Sequence, residues 1–210
     1  MATPAQLMET ISVATGIPLA TVIDIDRKLT KAGLRTKGGR GFSAARMTPK
    51  DAAHLLTALL AAAQSNEAAL AVERYTQTHV DKERSSEGLF AAAELDDLAD
   101  LSTRHDFITG LSAVIISATG GTLSRLKRGG EGEWTPSIEI FAFARATRGR
   151  IRIAGLPNRK TASVEYFPIR AVSGSPADGS GDLEQSRRIT ERTIFSIAEL
   201  LGLEGGHEWN

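Results

Sequence analysis

Cysteine is absent from this chain of 210 residues, which excludes disulfides, zinc–thiolate sites and cysteine catalysis. Aromatic residues make up only 5%, which argues against a platform on which single-stranded bases would stack. The longest nearly apolar run, from Leu111 to Ala118, is far too short to span a bilayer. Residues 1–16 lack the basic and apolar regions of a secretory signal. We therefore expect a cytoplasmic protein without a membrane partner.

Acidic residues are missing from the window between Arg27 and Lys50, although the formal net charge of the whole chain is zero. The eight basic residues of this window are Arg27, Lys28, Lys31, Arg35, Lys37, Arg40, Arg46 and Lys50. The remaining residues must therefore carry eight more acids than bases. A basic stretch in an otherwise acidic chain predicts one surface that binds a polyanion.

Two helices joined by a tight turn are predicted at the start of the chain. Threonine caps free helix amides and proline fits the first turn, so Thr3-Pro4 predicts a helix running to about residue 15. The turn Gly16-Ile17-Pro18 should end it. The second helix is predicted over residues 19–32, with Gly33 as its stop. Its buried stripe is expected to be Val22, Ile25, Leu29 and Ala32.

A β-wing and a third helix are predicted next. Residues 34–37 and 42–47 have the pattern of two short strands, with a glycine-rich turn over residues 38–41 between them. The tetrapeptide Thr48-Pro49-Lys50-Asp51 supplies a cap, a proline in the first turn and an acid, which together indicate a helix start. That helix should run to about Ala63.

Three residues, two in the first two helices and one in the turn between them, have a spacing typical of two helices packed across a tight turn. Ser12 is a small residue at the crossing, Gly16 allows a positive φ angle, and Val22 is a buried contact of the second helix. With the tail Leu29-Thr30-Lys31-Ala32-Gly33-Leu34, this pattern resembles the winged helix-turn-helix domain of MarR-like DNA-binding proteins. The resemblance covers about residues 3–62. The chain departs from the family because it lacks a clear helix before these residues. The third predicted helix, or a partner, would have to complete the three-helix core.

The resemblance implies that the second helix is a recognition helix and that residues 35–47 form a basic wing. Independently of it, burial of one stripe of the second helix leaves small and basic side chains outward, where they fit the major groove. The residues predicted to contact DNA are Ala20, Thr21, Asp24, Arg27, Lys28 and Lys31 on the helix, and Arg35, Lys37, Arg40 and Arg46 on the wing. Asp24, with Asp26 nearby, is unfavourable beside phosphate unless it accepts a hydrogen bond from a cytosine amine.

The rest of the chain predicts helices followed by a small sheet. Helical patterns cover residues 65–84, 89–101 and 103–119, and alternating patterns predict a hairpin over 137–145 and 150–154 and a strand over 162–167. We expect a mobile loop over residues 172–182. A helix over residues 183–201 should follow it, with Ile189, Ile194 and Ile197 on its core side. The expected fold class is α+β: a winged helix-turn-helix over residues 1–64, then an oligomerisation or effector domain over residues 65–210.

Weaker patterns have simpler interpretations. Asp96, Asp97 and Asp100 match a short DDxxD magnesium pattern, but we favour a solvated helix face because so short a match is common. His105-Asp106 is better explained as part of a helix start than as half of a catalytic dyad. A second basic cluster comprises Arg145, Arg148, Arg150, Arg152, Arg159 and Lys160. We favour a solvated sheet face for this cluster and keep a second nucleic-acid contact as the alternative.

The sequence thus predicts a non-enzymatic protein without a cofactor or metal, which binds specific sites on double-stranded DNA as a homodimeric transcriptional regulator. The resemblance suggests a bacterial or prophage origin. One alternative is a small terminase subunit of a tailed phage. Such a subunit would assemble into a ring of many copies and recognise packaging DNA. A second alternative is a magnesium-dependent enzyme that uses the aspartate cluster.

Overall fold

The computed structural model describes residues 2–38, 45–85, 95–99, 101, 104–129, 136–144, 147–155, 161–168 and 185–202. These residues form an α+β fold in which helices pack against an antiparallel sheet of five strands. The helices are α1 (Pro4–Thr15), α2 (Leu19–Ala32), α3 (Pro49–Ala61), α4 (Ala68–Tyr75), α5 (Asp96–Ala99), α6 (Phe107–Gly120), α7 (Thr122–Gly129) and α8 (Glu191–Gly202). None of these described helices combines the length and apolar character needed to cross a membrane.

The sheet contains β1 (Thr78–Val80), β2 (Ser137–Phe143), β3 (Gly149–Ala154), β4 (Ala162–Pro168) and β5 (Ser186–Thr190). Its spatial order is β1-β4-β3-β2-β5, and every neighbouring pair is antiparallel. A row of apolar residues crosses four strands in register: Val164, Ile151, Ile140 and Ile189. All four are buried, so this side of the sheet faces the helices and the alternate residues form its other side.

Helix α3 is the centre of the molecule, because every residue in it except Lys50 is buried. It packs against α2, α4 and α6, and against β2 and β5 of the sheet. At its end, Arg187 of β5 donates hydrogen bonds to the carbonyls of Leu59 and Ala62, both at 2.8 Å. The guanidinium supplies hydrogen bonds to carbonyl groups at the end of the helix, where no N–H of the helix itself can reach them. Residue 64, the predicted domain boundary, therefore follows a helix that is shared by both halves of the chain.

One hydrophobic cluster extends from Leu7 in α1 to Leu201 in α8. The two helices pack directly on each other, although they lie at opposite ends of the chain. Helix α3 packs against α2, as α4 also does, while α1 packs against α8. The described residues thus share one continuous core.

Several predicted elements are confirmed and others are wrong. The bounds of α1, α2 and α3 agree with the prediction to within two residues, and the hairpin and following strand are present as β2, β3 and β4. The helix predicted over 65–84 ends at Tyr75, because Thr78–Val80 pairs with β4 instead. The final helix begins only at Glu191, because residues 186–190 pair with β2. Helix α7 was not predicted, and the predicted loop over 172–182 lies outside the described residues.

Candidate nucleic-acid interface

The turn between α1 and α2 has the geometry that its sequence predicts. Gly16 has a φ of 74°, and its N–H donates to the Ser12 carbonyl at 2.9 Å. The Ser12 hydroxyl also donates across the turn to the Ile17 carbonyl at 2.7 Å. A positive φ is easily reached only by glycine, so the predicted role of Gly16 is confirmed.

Helix α2 has one buried side and one exposed side. Val22, Ile25 and Leu29 are buried as predicted, whereas Ala32, at the end of the helix, is exposed and does not belong to the buried stripe. Of the α2 residues predicted to contact DNA, Ala20, Thr21, Arg27 and Lys31 are exposed. The structure therefore places small and basic side chains together on the outward side of α2.

Asp24, the unfavourable acid of this side, has a basic partner. Lys28 Nζ lies 2.6 Å from Asp24 Oδ2 and 2.6 Å from the Ser65 hydroxyl oxygen. The hydrogen bond from Lys28, followed by that from Ser65, lowers the pKa of Asp24. The pair is close to neutral as a whole, which leaves Arg27 and Lys31 as the excess positive charge on this side.

Arg35 is held inside the fold. Its Nε lies 2.9 Å from Asp26 Oδ1 and donates to the Thr30 hydroxyl at 2.7 Å, and its side chain is only 14% exposed. Burial raises the pKa of Asp26, while the positive charge of Arg35 acts in the opposite direction. Asp26 is thus a buried partner of Arg35 and does not lie on the exposed side of α2. Arg35 joins the end of α2 to the segment that follows it.

The two strands predicted for the wing are absent from the described residues 34–38 and 45–47. The backbone after α2 instead binds to α3: the Thr36 N–H donates to Asp51 Oδ1 at 2.7 Å, and His54 Nδ1 lies 2.6 Å from the Leu34 carbonyl. The Met47 N–H donates to the Ala2 carbonyl at 2.9 Å. These groups are therefore not free to pair as a ladder.

The basic residues predicted for the wing lie in different surroundings. Lys37 and Arg46 are exposed, whereas Arg35 is largely buried. Arg40, the predicted wing tip, lies outside the described residues, as do residues 42–44 of the second predicted strand. The winged arrangement itself is not confirmed by the described part of the chain.

The described arginines of the second basic cluster lie on the side of the sheet that faces away from the helices. Arg148, Arg150 and Arg152 come from β3 and the residue before it, while Arg145, Arg159 and Lys160 lie outside the described residues. Arg188, which was not predicted as a member, joins this cluster because β5 is a strand. The phenylalanines between the arginines were not predicted as part of a site either. Their alternation with buried residues along β2 and β4 was the signal available.

The remaining sequence patterns have structural roles. Asp97 Oδ2 accepts the N–H of Thr122, the first residue of α7, at 3.0 Å. Although burial raises the pKa of Asp97, hydrogen bonds from Ser117 and Thr122 lower it overall. His105 Nε2 lies 2.7 Å from the hydroxyl of Tyr166 in the core.

Of the predicted aspartate cluster, the structure describes only the side chain of Asp97. The side chain of Asp96 and the whole of Asp100 lie outside the described residues. Among the side chains that are described, no group of three or more histidines and acids could hold a metal ion.

No protein-family model, curated protein sequence or solved structure matches the chain.

Proposed function

We propose that the protein binds double-stranded DNA through the exposed side of α2. The observation that carries this proposal is the division of α2: its apolar side is buried in the core, and Ala20, Thr21, Arg27 and Lys31 remain accessible. A helix of this length, about 21 Å, fits within the major groove. The small residues Ala20 and Thr21 lie in the first turn, so the backbone can approach base edges there.

Positive charge at the far end of the same helix supports the proposal. Arg27 and Lys31 are exposed one helical turn apart, and Lys37 follows in the chain and is also exposed. Contacts from these side chains to phosphates would position the helix, while Thr21 would contribute to the choice of sequence. The Lys28–Asp24 pair presents a donor and an acceptor beside them.

A rigid turn before α2 also supports this assignment. Gly16 and the Ser12 hydroxyl close the turn with two hydrogen bonds, and Gly33 ends α2 with a φ of 78°. The helix is therefore held at both ends, which reduces the entropy that ordering would cost on binding.

We further propose that the protein acts as a cytoplasmic, homodimeric transcriptional regulator without a cofactor. Two copies related by a two-fold axis would read two half-sites, and linking the half-sites increases affinity without new contacts. Light scattering tests this part: a dimer supports it, whereas a ring of many subunits contradicts it and favours the terminase alternative.

The test of DNA binding uses full-length protein and duplexes selected from a random pool. Affinity for a selected duplex should fall steeply with salt, because bound arginine and lysine release counterions. Arg27→Ala and Lys31→Ala should each weaken binding to every duplex and make the logarithmic salt slope shallower by about one unit. Arg125→Ala on α7 is the matched control, since it removes an exposed arginine from a different helix and should change neither quantity.

A second measurement separates specificity from charge. Selection repeated with Thr21→Ala should return a different preferred sequence while affinity for unrelated duplexes is kept. Absence of duplex binding by the wild-type protein at low salt, or equal losses in Arg27→Ala and Arg125→Ala, would refute the assignment of α2 as the DNA-binding element.

A further inference from the structure

Three of the five phenylalanines that the structure describes lie on the side of the sheet that faces away from the helices. The register places Phe141 of β2 directly between Arg150 of β3 and Arg188 of β5. Helices α3, α6 and α8 pack against the sheet, and its inward row is fully buried, whereas the phenylalanines are half-buried. We call this side the outer sheet face and define it by Phe141, Phe143, Phe167, Arg148, Arg150 and Arg188.

Guanidinium groups lie over the phenylalanine rings of this face. The Cζ atom of Arg148 is 4.9 Å from the centre of the Phe143 ring and 5.3 Å from that of Phe167. Arg150 and Arg188 lie at 5.8 and 5.9 Å from the ring of Phe141. Flat aromatic and guanidinium groups therefore alternate across three strands, and both kinds of group stack with nucleobases.

The face also carries an excess of positive charge. Two carboxylates on this side are each shared by two arginines: Glu165 lies against Arg148 and Arg150, and Glu139 lies against Arg152 and Arg188. Around Glu139, two guanidiniums meet one carboxylate, which leaves this group of three side chains with a net positive charge. The side chains of Arg152 and Arg188 are 42% and 52% exposed, so they can reach a ligand in solution.

We propose that the outer sheet face binds single-stranded nucleic acid. Bases would stack on the exposed parts of the phenylalanine rings and on the guanidinium planes, and the arginines would contact the phosphates. A second copy of the chain is a poorer occupant, because two such faces would bring their excess positive charges together. A chain of phosphates interrupted by flat bases complements both the charge and the rings.

This surface is independent of the proposed duplex site. Helix α3 packs against α2 on one side and against β2 and β5 on the other, so it lies between α2 and the sheet. Substitutions on one surface should leave binding at the other unchanged. The two proposals can therefore fail separately.

The test measures fluorescence anisotropy of a labelled oligothymidylate of roughly 12 nucleotides with full-length protein at low salt. Phe141→Leu should weaken binding roughly tenfold, because leucine keeps the apolar bulk and loses the flat ring. Phe141→Tyr should retain it. Arg188→Ala should weaken binding and reduce the salt slope by about 0.7. Arg125→Ala and Arg27→Ala should bind the oligonucleotide as the wild type does.

Circular dichroism confirms that each variant is folded before its affinity is compared, and Arg188→Ala, at a half-exposed position, remains available if Phe141→Leu does not fold. The proposal is overturned if wild type shows no oligothymidylate binding, or if Arg27→Ala abolishes it. It is also overturned if light scattering shows a dimer that Phe141→Leu dissociates, which would assign the face to self-association.

Discussion

Gly149 illustrates how a single residue depends on the packing of distant ones. It begins β3 against the ring of Phe107, and a Cβ placed on it would overlap that ring. The ring cannot move aside easily, because Tyr75 and Tyr166 pack edge-on against it with centres 5.1 and 5.4 Å away. The requirement for glycine here comes from space, since Gly149 does not have a positive φ.

We therefore expect Gly149→Ala to lower the free energy of unfolding by about 1–3 kcal/mol, as overpacking of a core does. Gly120→Ala is the matched control, since a Cβ at the end of α6 has nothing within 4 Å and glycine is a poor helix residue. Urea unfolding followed by circular dichroism measures both changes. Equal effects of the two substitutions would contradict the packing explanation.

At the scale of the elements, the start of α7 depends on a side chain from outside that helix. Asp97 of α5 accepts the N–H of Thr122, one of the donors that a helix leaves without an internal partner. Gly121 precedes α7, and a Cβ there would collide with the Asp97 carboxylate. The glycine and the aspartate therefore form one cap. No local sequence pattern predicts it, because its members are separated along the chain.

Removal of this cap by Asp97→Ala should cost about 1 kcal/mol at pH 7. The folded pKa of Asp97 is lower than the unfolded value near 3.8, so the unfolded chain binds more protons in that range. The stabilisation is therefore complete above the unfolded pKa and is lost as the pH falls through the folded pKa. Thermal melts between pH 7 and about 3 should show the gap between wild type and variant closing.

Asp97→Asn is the control, because asparagine can still accept the Thr122 N–H but does not titrate. It should retain most of the stability at pH 7 and show a weaker acid dependence than the wild type. A gap between wild type and Asp97→Ala that stays constant over the whole range would show that the carboxylate charge is unimportant.

Element boundaries were predicted well where the local signals agree with the packing. Thr3, Pro4, Gly16 and Gly33 determine the bounds of α1 and α2 through caps, φ angles and hydrogen bonds within a few residues. The predicted final helix was wrong over residues 186–190, although Ile189 is buried as expected. A buried isoleucine fits either a helix or a strand, and pairing with β2 decided in favour of the strand.

For the whole molecule, the continuous core bears on the predicted division at residue 64. Leu7 and Ile11 of α1 are fully buried, and α1 packs against α8. Helix α3 is buried on all sides by elements from both halves. A fragment of residues 1–64 would expose both of these helices to water.

We expect this fragment to lack a cooperative unfolding transition, whereas the full-length chain should show one. Urea titrations followed by circular dichroism and by amide NMR dispersion make the comparison. A sigmoidal transition in the fragment would contradict this expectation and support an independent N-terminal domain. Failure of an unfolded fragment to bind DNA would say nothing about α2, which is why the binding experiments use the full chain.

The sequence alone determined the local features of this protein: the helix starts at Thr3 and Thr48, the glycine turn at residue 16, the buried stripe Val22, Ile25 and Leu29, and the alternation of β2 to β4. Each depends on contacts within a few residues or on the period of one element. The helical period also predicted which residues of α2 are exposed, because the exposed side is the one opposite the buried stripe.

Only the tertiary structure decided which charges remain available and which residues meet. Arg35 forms an ion pair with the buried Asp26, which no count of charges along the chain reveals. Phe141, Arg150 and Arg188 form one row because strand register joins residues that are up to 47 positions apart. The low aromatic content of the whole chain argues against a stacking platform, but it does not show where the few aromatic residues lie. Pairing of the strands brings three phenylalanines to one face, because side chains on a pleated sheet point alternately to its two sides.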